Sequence, residues 1–515
     1  MLHGDILSER TRLSPGQTAL ACVATSRRFT YRELNDRAIR CARLLLAQCH
    51  LSKGDCVGIL AKNRVEFLDA FFAAGKSGII LVPLNVRLTA VELGIIIKSS
   101  GLKALLYDGE LTDKVVELKR EPAIVGQIEY WIALDQPLAP ADLDYNKWLQ
   151  ELPSTDWTRT PCDPEDIYCL LYTSGTTGKP KGVMIPHRMV AWNGYNTAIN
   201  WQLRESDVSP LFTPLYHAGG LAAFLVPIFV AGGTIVLHRD FNVHEVWHTI
   251  ESEKCTVMLG VPTIYRMLLD APECDQVDLS HVRWLISGGA PLPIDLVEAY
   301  SKRGVVLKQG YGLTEVGVNC FSMSSEEALR KVGSIGKPMM FTEARVVDSK
   351  GNPALPGQSG ELWLRGPHVC KGYWQDPVAT AASLDAAGWF HTGDIVRCDE
   401  GGFFYIVGRS KDMFISGGVN VYPGEIEAEL LRHPAVADAA VIGVPHTTWG
   451  EVGVAFVVPK ETAPPPSSDE LKDFLARKLA KYKLPKEFIF VETLPRTAYG
   501  KVVKSELRDR FDLPD

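Results

Sequence analysis

The sequence predicts an α/β protein with a large N-terminal domain of two packed α/β subdomains plus a small β subdomain, followed by a small α+β C-terminal domain. Three observations predict this. The chain has 515 residues, well beyond the ~250–300 at which a single hydrophobic core stops growing. Over most of residues 1–400 helical patterns alternate with short apolar runs, as expected where helices join parallel strands. The residues past "GRSKDMF" carry helices and strands of their own.

Taken in order, "YRELNDRAIRCARLLLAQ" has apolar residues at helical spacing and runs to Gln48. "CVGILA" reads as a buried strand, "RVEFLDAFFAAGKSG" as a helix closed by glycine, and "IILVPLN" as a strand again. The alternation resumes at "GTIVLHR", "VHEVWHTIESEKC", "TVMLGVP" and "VRWLISG". A less regular acidic region, 135–166, separates the two runs and suggests two subdomains. After Gly336 short strands and turns, "EARVVDSKGNPALPGQSGELWLRG", predict the small β subdomain. Beyond "GRSKDMF" come the helices "GEIEAELLRHPAV" and "SSDELKDFLARKLAKY" and the strands "VADAAVIGV" and "GVAFVVP". Ser467, Ser468 and Asp469 are placed to cap the second of these helices. No repeat at a solenoid period is present.

Composition narrows the function. An apolar fraction of 46% and a charged fraction of 22% are ordinary for a globular protein. A net charge of −7 provides no electrostatic footprint for nucleic acid, so any anionic ligand needs a local site. The 11 cysteines form no CxxC pair, which reads as reduced thiols in a cytoplasmic protein rather than a disulfide framework or zinc site. "MLHGDILSERTRLSPG" is charged early and lacks the apolar core of a signal peptide, and "DLPD" is no retention or peroxisomal signal. The uncharged stretch Gly219–Leu237 is long enough to span a bilayer. Glycine pairs bracket its apolar part and Pro227 interrupts it, so it reads as a buried helix over about 221–231, a turn and a buried strand, Thr234–Leu237.

The chemistry begins at "IYCLLYTSGTTGKPKGVMIPH", an apolar strand, a loop and a second short strand. Two lysines, four hydroxyls and three glycines fall within ten residues, a set of backbone N–H, hydroxyl and ammonium donors suited to oligophosphate oxygens. It is not a Walker A loop. Only two residues separate Gly175 from Gly178, and Pro180 follows Lys179 where that motif continues into a Ser or Thr and a helix.

"YTSGTTGKPKG" resembles the phosphate loop of the adenylate-forming superfamily, which includes acyl-CoA synthetases, peptide-synthetase adenylation domains and firefly-type luciferases. "PLYHAGG" (214–220), "SGGAPL" (287–292), "QGYGLTE" (309–315), "GELWLRG" (360–366), "WFHTGD" (389–394), "GRSKDMFISGGVNVYPGEIE" (408–427) and "PRTAYGK" (495–501) match in order, so the resemblance covers essentially the whole chain. It implies an AMP-binding domain over residues 1–409, a hinge at 410–411 about Lys411, and a mobile C-terminal domain over 412–515. The implied reaction activates a carboxylic acid with ATP to acyl-AMP, releasing pyrophosphate, and then transfers the acyl group to a thiol.

Residue by residue, the resemblance implies that Thr173, Ser174, Gly175, Thr176, Thr177, Gly178 and Lys181 hold the β- and γ-phosphates. Gly288, Gly289 and Ala290 let a purine or acyl chain lie against the backbone. Gly310, Tyr311 and Gly312 belong to the ATP- and AMP-binding set, with Tyr311 stacking on adenine, and Thr314 bonds the α-phosphate. Thr173 and Glu315 are the candidates for Mg²⁺. Asp394 accepts the ribose hydroxyls and Arg409 reaches ribose and phosphate. His217 gates the acid. Lys501 reaches the carboxylate and the α-phosphate as charge builds, presented by a turn that Gly500 permits. Family members usually carry Ser where this chain has Tyr499.

Among superfamily members, "SGGVNVYPGEIE" resembles CoA ligases, and Gly417 and Gly418 would let CoA approach the backbone. The sequence ends soon after Lys501, so no fused carrier domain is expected; a stand-alone ligase loading a carrier protein is the alternative reading. A catalytically silent nucleotide-binding scaffold is disfavoured because every chemical position is filled. No acidic residue lies between Pro214 and Gly220 to pair with an α-amino group, and the apolar segments "GLAAFLVPIFV", "GVPTIY" and "GVN" suit a fatty or aryl, cinnamate-like acid. The expected partners are thus that small acid, ATP and CoA, without nucleic acid or a membrane span. Homodimer formation is left open.

Overall fold

The computed structural model describes residues 4–174, 180–348, 350–416, 419–461, 464–496 and 502–510, with the side chains of Ser174, Asn420 and Arg510 excepted. In the N-terminal part, helices Val65–Ser77 and Ala90–Ser100 connect parallel strands of a seven-stranded sheet. In spatial order its strands are Leu143–Asp144, Tyr130–Ala133, Leu102–Tyr107, Cys56–Leu60, Ile80–Pro83, Ile167–Ser174 and Pro180–Pro186. All neighbours run parallel except the final hairpin. Cys56–Leu60 and Ile80–Pro83 are buried at every position, which explains why they read as continuous apolar runs rather than alternating ones.

A second sheet orders Val208–Leu211, Thr234–Leu237, Thr18–Cys22 and Arg27–Thr30. A third stacks Val257–Gly260, Trp284–Ser287 and Leu307–Gln309 in parallel. These two are joined at their edges. The Thr256 amide donates to the Val208 carbonyl at 2.8 Å, and the Arg283 guanidinium donates to the buried Asp207 carboxylate at 2.6 and 2.7 Å.

The break expected at 135–166 therefore does not divide the sheets. The early strand Thr18–Cys22 pairs with Thr234–Leu237, and the hairpin 167–186, which follows the break, completes the first sheet. Pairing over such distances is set by which apolar faces fit together. Apolar periodicity reports that a strand exists but not which strand lies beside it.

The uncharged stretch Gly219–Leu237 is a broken buried helix. A π-helical turn, Leu221–Leu225, leads into Val226–Ala231, then Gly232 at φ +92° and the buried strand Thr234–Leu237. Carbonyls of the π turn are taken by side chains: Asn193 Nδ2 donates to Ala222 O at 2.6 Å and Asn319 Nδ2 to Ala223 O at 2.9 Å. Among the described residues no helix is long and apolar enough to cross a membrane.

An antiparallel sheet of Glu343–Val347, Ser359–Arg365, Phe390–Cys398 and Phe404–Arg409 forms the small β subdomain. The C-terminal domain has its own sheet, with the long hairpin Val436–His446 and Gly450–Pro459 at its centre. Separate hydrophobic clusters are built around Ile426, Val441 and Leu471 on one side and Phe456, Leu494 and Leu507 on the other. Its helix Pro423–Leu430 packs against strand Phe404–Arg409, where two glycines allow a close approach. A Cβ on Gly424 would lie 2.8 Å from Val407 O, and one on Gly408 would lie 3.4 Å from Tyr422 Cβ.

Helix Val65–Ser77 is buried along its whole length, including its charged residues. Asp69 accepts from Arg37 at 2.6 and 3.0 Å and from the Tyr145 hydroxyl at 2.8 Å. The fully buried Lys76 ammonium donates to Asp5 Oδ1 at 2.9 Å and to Ser8 Oγ and Asn35 Oδ1, both at 2.6 Å. Lys76 thus ties helices Ile6–Leu13 and Tyr31–Arg43 to the core. Breaking a buried pair from one side leaves an uncompensated charge. Lys76→Met alone is expected to destabilise the protein by about 3–5 kcal/mol, and adding Asp5→Asn to recover much of that, as read from urea denaturation followed by tryptophan fluorescence. A double variant no more stable than Lys76→Met would refute the pair as the source of the loss.

Candidate active site

The three parallel strands of the third sheet end at Gly260, Ser287 and Gln309. Ligands in α/β sheets bind beyond such carboxyl ends, and the residues that follow line one cleft of about 4110 Å³, whose lining also includes C-terminal residues such as Tyr422, Arg496 and Lys504.

After Ser287 the chain turns through Gly288 and Gly289, the latter at φ +79°. A Cβ on Gly288 would meet nothing within 4 Å, and one on Gly289 would find only Val261 Cγ1 at 3.8 Å. Open space therefore stands over the backbone, wide enough for a flat ring or chain. Gln309 stitches this loop to the next: its Oε1 accepts from the Leu292 amide and its Nε2 donates to Gly310 O, both at 2.7 Å.

Past Gly310 the chain doubles back. A Cβ on Gly312 would lie 2.0 Å from Val318 O, so only glycine fits there. The Val318 amide donates to Leu313 O at 2.9 Å and the Cys320 amide to Tyr311 O at 3.1 Å. The 3₁₀ turn Thr314–Val316 sits at the tip of this loop and ends at Gly317, φ +84°. Thr314 is buried in the cleft wall.

Three predicted residues form one cluster. Asp394, 4% exposed, accepts from the Tyr311 hydroxyl at 2.6 Å on one oxygen and from Arg409 Nε at 2.7 Å on the other. The strand register pairs Asp394 directly with Arg409. Burial, and then the Asp394 charge, push the Tyr311 phenol well above its usual range. Burial opposes the Arg409 charge, yet Asp394 and Tyr311 outweigh it and raise its pKa. The Tyr311 ring meets Phe321 edge-on at 5.6 Å.

Elsewhere along the cleft, the hairpin register pairs Thr173 with Lys181. The Lys181 ammonium lies 5.1 Å from the centre of the Tyr373 ring, and the Tyr373 hydroxyl donates to Glu315 Oε1 at 3.0 Å. Burial and the neighbouring Glu315 carboxylate push the Tyr373 phenol up. His217 precedes the short helix Ala218–Gly220, and its Nδ1 accepts from the Gly219 amide at 3.3 Å. Nearby wall is apolar, with Trp201, Tyr216, Ala223 and Val318 facing the cleft and Trp201 packed at 5.9–6.0 Å against Trp284 and Phe224.

The cleft thus brings together Thr173, Lys181, His217, the glycines and Ala290 of the 288–290 loop, Gly310, Tyr311, Gly312, Thr314, Glu315, Asp394 and Arg409. Lys411 also borders it, exposed within the turn Ser410–Asp412. Gly175, Thr176, Thr177, Gly178, Gly417, Gly418 and Lys501 lie outside the described residues, and Ser174 is described in its backbone only. Sequence reading overlooked Gln309, His368 and Tyr373. The only available signal was "GPHVCKGYW", and no spacing connects Tyr373 with Glu315, 58 positions earlier.

The AMP-binding enzyme family matches residues 7–374, and the AMP-binding enzyme C-terminal domain matches residues 425–501. A feruloyl-CoA synthase of Amycolatopsis sp is 39% identical over 507 residues, covering 98% of this chain and 97% of its own length. The long-chain-fatty-acid–CoA ligase FadD13 of Mycobacterium tuberculosis is 36% identical over 515 residues, covering 99% and 98%. ATP-bound MatB from Rhodopseudomonas palustris superposes with a TM-score of 0.89 at 31% identity, with 99% of each chain covered. An N-terminal domain carrying a glycine-lined nucleotide cleft, a second domain across from it, and relatives matched from end to end agree: the chain belongs to the AMP-binding enzyme family, as an AMP-forming acyl-CoA synthetase of the adenylate-forming superfamily.

Proposed function

We propose that this ligase activates a fatty or aryl, hydroxycinnamate-like acid, and that the cleft residues named above divide the work. The observation that carries the reading is the cleft's mixed lining. Groups able to donate to phosphate and ribose (Thr173, Lys181, Thr314, Arg409) and apolar, partly aromatic residues (Trp201, Tyr216, Ala223, Val318) line one and the same cleft.

In the first half-reaction a carboxylate oxygen attacks the α-phosphorus and the bond to the bridging oxygen breaks, releasing pyrophosphate. Two anions must meet, so catalysis depends on donors preorganised around the developing charge. Thr173, Ser174, Thr176, Thr177 and Lys181 hold the departing phosphates, Thr314 and Lys501 the α-phosphate, and His217 borders the acid. Tyr311 lies against adenine, and the Asp394–Arg409 pair takes the ribose. In the second half-reaction the CoA thiol loses its proton, its sulfur attacks the acyl carbon and AMP leaves, with Gly417 and Gly418 passing the thiol arm.

Magnesium fits this donor set. Among the described residues no group of three His, Cys, Asp or Glu could hold a metal. A cation here would rest on Glu315, with Thr173, and take its remaining oxygens from phosphate and water, as Mg²⁺ commonly does. When bound, it would neutralise phosphate charge.

We assign residues 1–409 to the adenylating domain, 410–411 to a hinge about Lys411, and 412–515 to the mobile domain. The close backbone approach of Gly408 and Gly424, beside the Ser410–Asp412 turn, supports this, because a hinge needs only a few backbone dihedrals to change. All 11 cysteines are free thiols, which supports a cytoplasmic location.

Two experiments test these assignments. Lys501→Ala is expected to lower acyl-adenylate formation by about 10²–10³, the usual effect of losing one such donor, while sparing thioester formation from supplied acyl-AMP. Gly417→Trp should do the reverse, and equal loss of both half-reactions in either variant would refute its role. In a CoA-dependent AMP-release screen over fatty acids of graded length and hydroxycinnamates, at least one of these classes should turn over. Turnover that required a carrier protein in place of CoA would transfer the enzyme to the carrier-loading class.

A further inference from the structure

Residues 366–374 contact both phosphate-side elements of the site. Along one edge they extend the phosphate hairpin. The Lys371 amide donates to Met184 O at 3.0 Å, the Met184 amide to Gly372 O at 2.9 Å, and the Trp374 amide to Gly182 O at 2.7 Å. From the other edge they grip the loop tip at Glu315. The Cys370 amide donates to Glu315 O at 2.8 Å, His368 Nδ1 lies 2.7 Å from Val316 O, and the Tyr373 hydroxyl reaches Glu315 Oε1 at 3.0 Å.

The segment is itself anchored. Arg188 donates to the carbonyls of Pro367 and Val369 and pairs with Glu165. His368 is fully buried. Because Val316 O can only accept, Nδ1 carries the imidazole proton, and Nε2 accepts from Thr342 Oγ1 at 2.8 Å. Thr342 Oγ1 in turn accepts from Asn196 Nδ2 at 3.1 Å. The loop has little room to relax, since a Cβ on Gly317 would already lie 3.0 Å from Asn193 Oδ1 and 3.1 Å from His368 O.

We propose that residues 366–374 are a clamp that sets the Glu315 carboxylate at a fixed place relative to Thr173 and Lys181, with His368 and Tyr373 as its positioning residues. His368 fixes the backbone that follows Glu315. Tyr373 fixes its carboxylate and, by taking the Lys181 ammonium on its ring face, spaces the two opposite charges that must address the same nucleotide. The proposal rests on the reading of Glu315 as the residue that receives the metal–nucleotide complex.

The test uses the full-length enzyme and three readouts: binding of Mn²⁺·ATP followed by electron paramagnetic resonance, ATP–pyrophosphate exchange, and thioester formation from supplied acyl-AMP. Tyr373→Phe, which removes one hydroxyl, should weaken Mn²⁺·ATP binding by ~10–100-fold, the usual range for residues that orient a metal ligand. His368→Leu should lower exchange at least as much. His368→Asn, whose amide can still donate to Val316 O, should restore most of it. Thioester formation should stay within about twofold of the parent in all three, because that step needs neither metal nor triphosphate. Should His368→Leu fail to fold, Tyr373→Phe decides the matter alone. Equal losses in both half-reactions, or unchanged Mn²⁺·ATP binding in Tyr373→Phe, overturn the clamp. Glu315→Gln separates the two ideas. If it also leaves binding intact, the Glu315 assignment falls and the clamp with it; if it abolishes binding while the Tyr373 and His368 variants do not, the clamp alone falls.

Discussion

The reversal of the chain between Tyr311 and Val318 is the constraint on which the site depends. Gly312 lies so close to Val318 that a single added methyl group would need to occupy the space of a carbonyl oxygen. That approach folds six residues into a loop whose residues face different surroundings. Tyr311 turns toward Asp394, Thr314 and Glu315 sit at the tip facing the phosphate hairpin, and Val318 lines the apolar wall. The loop is secured from the core side by Asn319, which donates to a carbonyl of the π turn in the buried helix. A helical irregularity and a glycine contact, neither of which performs chemistry, thereby decide where the chemistry can occur.

Electrostatics are handled locally. The protein carries a net charge of −7, so nothing in its overall field draws in a nucleotide or an acid. Two cationic groups of the cleft are instead held by specific neighbours: Arg409 by Asp394, Lys181 by the Tyr373 ring. Such pairing keeps long side chains ordered before the ligand arrives, which reduces the entropy lost on binding. Asp394, in turn, has both of its oxygens satisfied, one by Tyr311 and the other by Arg409.

The cleft is lined by residues of two parts of the molecule, a large α/β part with an extensive core and a small domain with two cores of its own. Where they meet, a Cβ on Gly424 would lie 2.8 Å from Val407 O, so glycine permits a close backbone approach. Lys504 secures its own domain instead, donating to Glu427 Oε1 at 2.7 Å and to Val441 O at 3.0 Å. The small domain is therefore held together by cores and an ion pair of its own.

Much of this was legible in the residues alone, for stated reasons. Alternating helices and apolar runs, glycine closing the helix at Gly78, the donor-rich loop after Ile167 and the ordered motifs from "PLYHAGG" to "PRTAYGK" all depend on local chemistry, and local chemistry is written in sequence order. The catalytic class followed from the same motifs. What only the tertiary structure decided is partnership. It joined Thr18–Cys22 to a strand some two hundred residues later, placed Gln309 across two loops, and brought Tyr373 and His368 to the Glu315 turn. Those contacts arise because packed sheets and buried hydrogen-bond donors must find partners wherever the fold brings them, and no spacing along the chain records which partner that will be.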